Sequence, residues 1–390
     1  MTATPKPYDV SDDELQRLLA AVDRLMTRNL PPTEVRRRDR AEDPPQFLLP
    51  LFADLGLFAL AAPPSLGGTG PNWRTLIRVQ ERLGQHAFMA AVLFNRVVCF
   101  GMSSVIAYGT DAQKAGLLAD LVAGKALISL ALTEPGAGSD AGALTTRAER
   151  YGDGWRISGR KTWISGAESA RYLVVPARTE AGSSGTHGIT LFLVPPDAAG
   201  ISMTRLGKLG NRCSLSWDIG FDGVAIAASA VMGREGDGFK HLMATLNSAR
   251  AGLAAAVVGV AQAAVDDTIA HATGRIQFGR RIGDFQVIAH RIADMQTEVD
   301  LARLLVRHLA DLTDSGADCR REAAQAKLVA TETLKRVTEH GMQILASAGY
   351  ADDSDMQRYF RDARLYTFGE GSSEILRGVI AGSLGLKGGG

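Results

Sequence analysis

The chain of 390 residues has little cysteine: Cys99, Cys213 and Cys319 are the only three, each more than a hundred positions from the next. With no CxxC pair, they exclude a disulfide scaffold and a cysteine-built zinc ribbon, and they suit a reducing cytoplasm. The 7 histidines are scattered and form no HExxH, so no metal site is expected. No charge predominates. Lys plus Arg number 43 against 42 Asp plus Glu, a net charge of +1. A nucleic-acid partner normally imposes a basic bias, and none is present. Long apolar runs are also scarce. The best candidate, Ala251 to Val265, falls short of a membrane span and contains Gln262, so it reads as a tightly packed core helix with no membrane partner. The opening MTATPKPYDVSDDELQRLL places acids early and lacks an apolar segment, so neither a signal nor a transit peptide is expected there.

What is present is globular. Hydrophobic residues make up 46% and charged residues 22%, close to the average for folded domains. At about 150 residues per domain the length suggests two or three. Roughly three quarters of the unfolded surface can be buried at this size, so no staple is needed. The periodicity divides the chain into three blocks, an α+β class overall. Residues 1–126 read as an N-terminal helical domain, with Leu15, Leu18, Leu19, Val22 and Leu25 at spacings of three and four. Helices are expected over Trp73 to Leu83, Met89 to Tyr108 and Asp111 to Val122. Residues 127–233 change period. Short β-favouring runs begin at Trp155, Tyr172, Ile189 and Trp217, separated by turn signals such as Asp153-Gly154 and Pro195-Pro196. Strands without intervening helices predict an antiparallel, barrel-like β domain. Residues 234–390 return to the helical period. Ile288, Ile292, Met295, Val299, Ala302, Val306 and Leu309 step by four and three, the seam of a four-helix bundle.

Gly136-Ala-Gly138-Ser-Asp-Ala141 follows a strand-like run and fits the dinucleotide pattern G-x-G-x-x-A. That pattern needs a helix next, to receive a pyrophosphate on its N-terminus. Here a hairpin turn follows, so a Rossmann site is not expected. The glycines still mark a loop where backbone approaches something closely. The longer string Ala131-Leu-Thr-Glu-Pro-Gly-Ala-Gly-Ser-Asp140 is more informative. It resembles the first signature of the acyl-CoA dehydrogenase family. Lys161-Thr-Trp-Ile-Ser-Gly166 is similar to that family's flavin-side tryptophan strand, and Arg275-Ile-Gln-Phe-Gly-Arg-Arg-Ile-Gly-Asp-Phe-Gln286 to its second signature. Gln343-Ile-Leu-Ala-Ser-Ala-Gly349 and Glu370-Gly-Ser-Ser-Glu-Ile-Leu-Arg377 resemble its two C-terminal motifs. The resemblance covers roughly residues 40–385, in the family's order.

The resemblance implies FAD-dependent α,β-dehydrogenation of an acyl-CoA or carrier-bound acyl thioester. Such chemistry needs a base for the α-proton and an acceptor for the β-hydride on the opposite face; a flavin supplies the acceptor. Glu370 matches the family's catalytic base. Burial against ring and acyl chain should raise its pKa from about 4.3 toward working pH. Some relatives carry the base one residue before an arginine on the first bundle helix; Ala249 stands there, before Arg250. A sister group that oxidises nitroalkanes has Asp where Glu370 stands. By the same resemblance Leu132, Thr133 and Ser139 line the flavin, and Ser139 also reaches the thioester arm. Trp163 packs on the isoalloxazine with Ser165 near N5, and Ser372 belongs to the cofactor set. Arg275, Phe278, Phe285, Gln286, Gln343 and Ser347 are implied to meet the FAD of a neighbouring subunit, in a homotetramer. Asn247, Arg250 and Gly371 are implied substrate contacts, and an electron-transferring flavoprotein the implied acceptor.

The chain departs from the family pattern in places. Gly369 stands where many relatives have a bulky aromatic residue, Asn247 replaces a common Asp, and Ala346-Ser347 replaces a common Gly-Gly. Arg96 interrupts the apolar run Val92 to Phe100. It either snorkels to the surface or pairs with a carboxylate, or else meets a polar acyl tail. Two rival readings stay open from sequence: a flavin monooxygenase or oxidase on the same scaffold, and a catalytically silent acyl-thioester-binding subunit.

Overall fold

The computed structural model describes residues 10–386. Residues 1–9, where the reading of a missing leader begins, lie outside the described residues. Helix α1 (Asp12–Asn29) opens with a reciprocal cap: Glu14 N–H donates to Ser11 Oγ while Ser11 N–H donates to Glu14 Oε2. Of the expected stripe it buries Leu19 and Val22, together with Met26, while Leu15, Leu18 and Leu25 are only half-buried. Next come α2 (Pro32–Ala41), α3 (Leu48–Asp54) and α4 (Trp73–His86). The segment Phe88–Tyr108 is one continuous helix made of α5 (Phe88–Asn95), a π-helical stretch (Arg96–Met102) and α6 (Ser103–Tyr108). Then α7 (Asp111–Val122) closes the block.

Phe88–Tyr108 corrects the reading that no apolar stretch reaches membrane-spanning length. This 21-residue helix and the 37-residue Gly238–Gly274 are both long and apolar enough. In each, 72% of the apolar window is buried inside the protein, so both are accounted for as core helices.

The middle block is a sheet of eight strands: β1 (Ile128–Leu130), β2 (Arg147–Tyr151), β3 (Gly154–Ser165), β4 (Tyr172–Arg178), β5 (Ile189–Val194), β6 (Ile201–Leu206), β7 (Ser216–Ile226) and β8 (Val231–Met232). Their order is β6-β7-β3-β2-β4-β5-β8, with β1 beside β4. Two features differ from the expected antiparallel barrel. β4 runs parallel to both β1 and β2, and among the described residues no pairing joins β6 to β8 to close the sheet. Trp155 and Phe192 meet edge to face at 5.4 Å in its core, beside Ile157, Ile219 and Phe221. No helix follows Ala141 beyond the single 3₁₀ turn Ala141–Ala143, so the glycine motif forms a turn, as expected.

The C-terminal block is built on α8 (Gly238–Gly274), α9 (Gln286–Asp314) and α10 (Arg320–Leu345). Between α8 and α9 stands a two-strand hairpin, β9 (Ile276–Gln277) and β10 (Arg280–Arg281). The short α11 (Ser347–Tyr350), α12 (Asp355–Tyr366) and α13 (Ser373–Ser383) follow. The α9 seam buries Met295, Val299, Ala302, Val306 and Leu309, while Ile288 and Ile292 are only half-buried. Helix α4 of the first block packs against α8 so closely that a Cβ on Gly259 would lie 2.0 Å from the Glu81 carbonyl oxygen. One hydrophobic core therefore runs continuously from the first block into the bundle.

Candidate active site

A cleft of about 1100 Å³ opens where the three blocks meet. A single drug-sized ligand fills about 300–1000 Å³, so this cleft has room for a flat cofactor and a substrate arm together. Its walls include Leu132, Thr133, Ser139, Trp163, Ser165, Arg250, Glu370, Gly371 and Ser372 among the sequence candidates. Asn247 sits behind Arg250, whose Nη1 donates to its Oδ1 at 3.2 Å.

The sheet side is shaped by a bulge. Between Lys161 and Ile164 the register of β3 against β7 shifts, and Trp163 takes φ 59°. A bulge re-aims a side chain. Trp163 is consequently 54% exposed on the cleft wall although it lies within a strand. Thr162 N–H donates to Thr133 O at 2.8 Å, tying this bulge to the loop that carries Leu132 and Thr133.

A buried ion pair underlies that loop. Lys161 Nζ lies 2.8 Å from Glu134 Oε1, with side-chain exposures of 0% and 3%. Lys161 also donates to Leu132 O at 3.2 Å. Glu134 accepts from Thr145 N–H, Thr145 Oγ1 and Thr146 N–H, at 2.6, 2.8 and 3.0 Å. Burial pushes the Glu134 carboxyl up, but the Lys161 charge and these hydrogen bonds outweigh it and hold the group down to about 2. For Lys161 burial prevails over the attraction of Glu134, lowering it to about 8.

The helical side carries Glu370, on the loop between α12 and α13. Its φ is 55° and that of Gly371 is 99°. Arg250 Nε donates to the Glu370 backbone carbonyl at 3.2 Å, and Lys327 Nζ donates to Tyr366 O at 2.6 Å and Gly371 O at 2.7 Å. Both cations thus grip the loop by its backbone. The carboxylate itself is left free, with Oε2 enclosed and without a hydrogen-bond partner. Desolvation raises the Glu370 pKa well above the carboxylate range, and the charges of Lys327 and Arg250 only moderate this. For Lys327, burial lowers the pKa.

The remaining candidates lie outside the cleft. Arg275 and Gln286 are exposed at the two ends of the segment that holds the hairpin, and Phe278 projects from its tip with 93% of its surface exposed. Phe285 meets Phe278 edge to face at 6.1 Å. Gln343 and Ser347 are exposed near the α10–α11 junction. There Ala346 takes φ 51° and ψ −132°, a backbone suited to glycine, although a common Gly-Gly is replaced. Phe368 lines the cleft with 61% of its surface exposed, so an aromatic ring shares the wall with Glu370 despite Gly369.

The motif reading does not reach Lys327 or the Glu134–Lys161 pair as functional groups. Lys327 had a visible signal: it falls on the Ala323, Ala326, Ala330 stripe of α10, where a lysine must be buried.

These pieces can do specific chemistry. They place a carboxylate of raised pKa across a wide cleft from an exposed indole and an exposed serine hydroxyl. Models of the acyl-CoA dehydrogenase N-terminal, middle and C-terminal domains match residues 12–125, 129–224 and 236–385. The chain is 38% identical to the probable acyl-CoA dehydrogenase YngJ of Bacillus subtilis, over 85% of this chain and 88% of that one. It is 36% identical to the caffeyl-CoA reductase–Etf complex subunit CarC of Acetobacterium woodii, over 87% and 90%. The butyryl-CoA dehydrogenase structure from Megasphaera elsdenii superimposes with a TM-score of 0.91 at 31% identity, covering 97% of this chain and 99% of that one. With all three domains matched in order around this cleft, the chain belongs to the acyl-CoA dehydrogenase family.

Proposed function

We propose that this protein is a FAD-dependent dehydrogenase of an acyl thioester, carried on CoA or on a carrier protein, with Glu370 removing the α-proton. The observation that supports this most is the free, enclosed carboxylate of Glu370 on the wall of a cleft large enough for two ligands. The cleft fits a flavin: Trp163 offers an uncovered indole face, and a Cβ built on Gly138 of the cleft wall would meet no atom, so backbone there is open to a ligand. Leu132, Thr133, Ser139, Trp163, Ser165 and Ser372 would hold the cofactor, which when bound supplies the acceptor for the β-hydrogen.

The protein's own part is to hold the base and the arm. Arg250 and Lys327 fix the Glu370–Gly371 backbone, so the carboxylate stays aimed into the cleft while its oxygens remain available. Enclosure keeps its pKa near the working range, where a base is most effective. The exposed Arg275, Phe278, Gln286, Gln343 and Ser347, with the half-buried Phe285, would complete a neighbour's FAD site in a homotetramer, which sedimentation of the flavin-loaded protein would read directly. The Etf complex named for the Acetobacterium relative favours an electron-transferring flavoprotein as acceptor, and the sparse cysteines favour a cytoplasmic site.

The deciding experiment is anaerobic titration of the oxidised flavoprotein with acyl thioesters. Wild type should bleach. Glu370→Gln should retain FAD yet bleach about 10²–10⁴ times more slowly, the usual loss on removing a general base. Near-normal bleaching by the variant would refute the assignment of the base.

A further inference from the structure

Lys208 stands in the loop 207–215 between β6 and β7 and lines the cleft. The loop is pinned in this pose. Asn211 takes φ 50°, its N–H donates to the buried Asp362 carboxylate, and its Nδ2 donates to the Tyr366 hydroxyl at 2.8 Å. The Lys208 ammonium donates to Ser214 O and, at 3.1 Å, to Ser216 Oγ. Both acceptors are neutral, and among the described residues Lys208 forms no ion pair. Asp362, the carboxylate that acts on it most, is already engaged by Asn211. Burial lowers the Lys208 pKa to about 8, so the group keeps its proton at neutral pH.

The sheet register shows what this charge faces. Ser216 lies directly opposite Ser165 in the β3–β7 ladder. Opposed residues project from the same face with Cβ atoms about 4.5–5.5 Å apart, and both serines line the cleft. Bonded to Ser216 Oγ, the ammonium therefore stands within about 10 Å of the Ser165 side chain. A second cation reaches the same end of β3. Arg96, the one charge in the helix Phe88–Tyr108, does not snorkel: it lines the cleft where the winding turns from α to π. Its Nη2 donates to Ser129 Oγ at 2.8 Å and to Gly166 O at 2.9 Å, and its guanidinium fills the space that a Cβ on Gly166 would take. The wall around Ser165 thus carries positive charge that no carboxylate pairs among the described residues.

We infer that Lys208 holds up the reduction potential of the flavin, by favouring the negative charge that reduction brings to its ring system. This rests on the dehydrogenase reading above, in which Ser165 lies beside that ring. Two electrons and one proton turn the neutral oxidised ring into an anion, a gain of one negative charge. An ammonium nearby attracts the anion and has no net charge to act on in the oxidised form. At about 10 Å and an effective dielectric near 20, the attraction favours reduction about tenfold, which is about 30 mV for a two-electron couple. Proton removal stays with Glu370.

The test reads the potential of the flavin-loaded protein without any thioester, by anaerobic reduction in equilibrium with a dye of known potential. Lys208→Met and Lys208→Gln should each weaken reduction about tenfold, lowering the potential by about 30 mV, while Lys208→Arg should keep most of it. The glutamine variant separates charge from bracing, because its amide can still donate to Ser214 O. Ser214→Asp leaves Lys208 in place and supplies it with a carboxylate; it should lower the potential likewise, and it decides the matter if the Lys208 variants fail to fold. An unchanged potential in Lys208→Gln, or in Ser214→Asp where the former does not fold, would overturn the inference and leave Lys208 as a brace for the turn at Ser214. A fall that Lys208→Arg shares in full would overturn it equally. Failure of every thioester to bleach the wild-type flavin would instead refute the dehydrogenase reading itself.

Discussion

The Glu134–Lys161 pair makes the sharpest energetic prediction. Two ions with side-chain exposures of 3% and 0% stand 2.8 Å apart beneath the loop that carries Leu132 and Thr133. Their pKa shifts point in opposite energetic directions. Pairing stabilises ionised Glu134, while burial destabilises ionised Lys161 despite the same pairing. The pair taken together should therefore contribute little net stability, yet either half alone should be costly. Glu134→Gln strands the Lys161 ammonium against Leu132 O, and Lys161→Met strands a carboxylate that keeps only its Thr145 and Thr146 donors. Breaking a buried pair costs about 3–5 kcal/mol. At about 2–4 °C per kcal/mol, the sheet domain should melt on the order of 10 °C lower. The double variant Glu134→Gln/Lys161→Met removes both charges and should recover at least about 2 kcal/mol of the summed loss. Calorimetry, with flavin release followed in parallel, reads both quantities. The acid limb adds a check. Because the folded pKa of Glu134 is depressed to about 2, its stabilisation is complete above about 4.5 and is lost as pH falls between those values; Glu134→Gln should flatten that limb. Single losses that simply add, with coupling under about 0.5 kcal/mol, would refute the reasoning.

Two further outcomes follow from the base loop and from the junction at Ala346. The rate of flavin bleaching should fall as pH drops through the raised Glu370 pKa, because only the carboxylate accepts a proton; Lys327→Met, which removes a nearby positive charge, should move that limb to higher pH, and an unmoved limb would contradict the electrostatic role of Lys327. Ala346→Gly should stabilise the protein by about 1 kcal/mol, since φ 51° with ψ −132° strains a residue with a Cβ; a lower melting temperature would contradict this.

The helical blocks were legible because their signals are local. The stripe in α1 and the seam in α9 fall where three- and four-residue steps place them, and the break at Asp111 coincides with a Thr110–Gln113 capping box. The sheet was legible only as strands. Its parallel β1–β4 and β2–β4 pairings join segments that turn signals cannot relate, because register between distant strands is set by burial across the whole layer. The site divides the same way. Glu370, Trp163 and Ser165 stand in motifs, but the bulge that turns Trp163 outward depends on how β3 meets β7. The fate of Arg96 was open from sequence for a similar reason. Whether a lone arginine in an apolar helix reaches water or a cavity is decided by the winding of that helix and by the empty side-chain volume at Gly166.

Glu370 illustrates how these long-range choices shape the cleft. A glutamate at φ 55° stores strain of order 1–3 kcal/mol. Nothing in its own side chain offsets this, because Oε2 has no partner. The compensation comes through the backbone: Arg250 and Lys327 donate charged hydrogen bonds to the carbonyls of Tyr366, Glu370 and Gly371, each worth about 1.5–3 kcal/mol. Had either cation paired with the carboxylate instead, the loop would be held equally well, but the pKa would drop and the base would be too weak at neutral pH. Gripping the carbonyls keeps the carboxylate itself unpaired. Loop geometry is fixed by donors pointing at the main chain, while burial in the cleft raises the pKa of Glu370 by more than the charges of those same donors lower it, so removing either cation alters loop and pKa together.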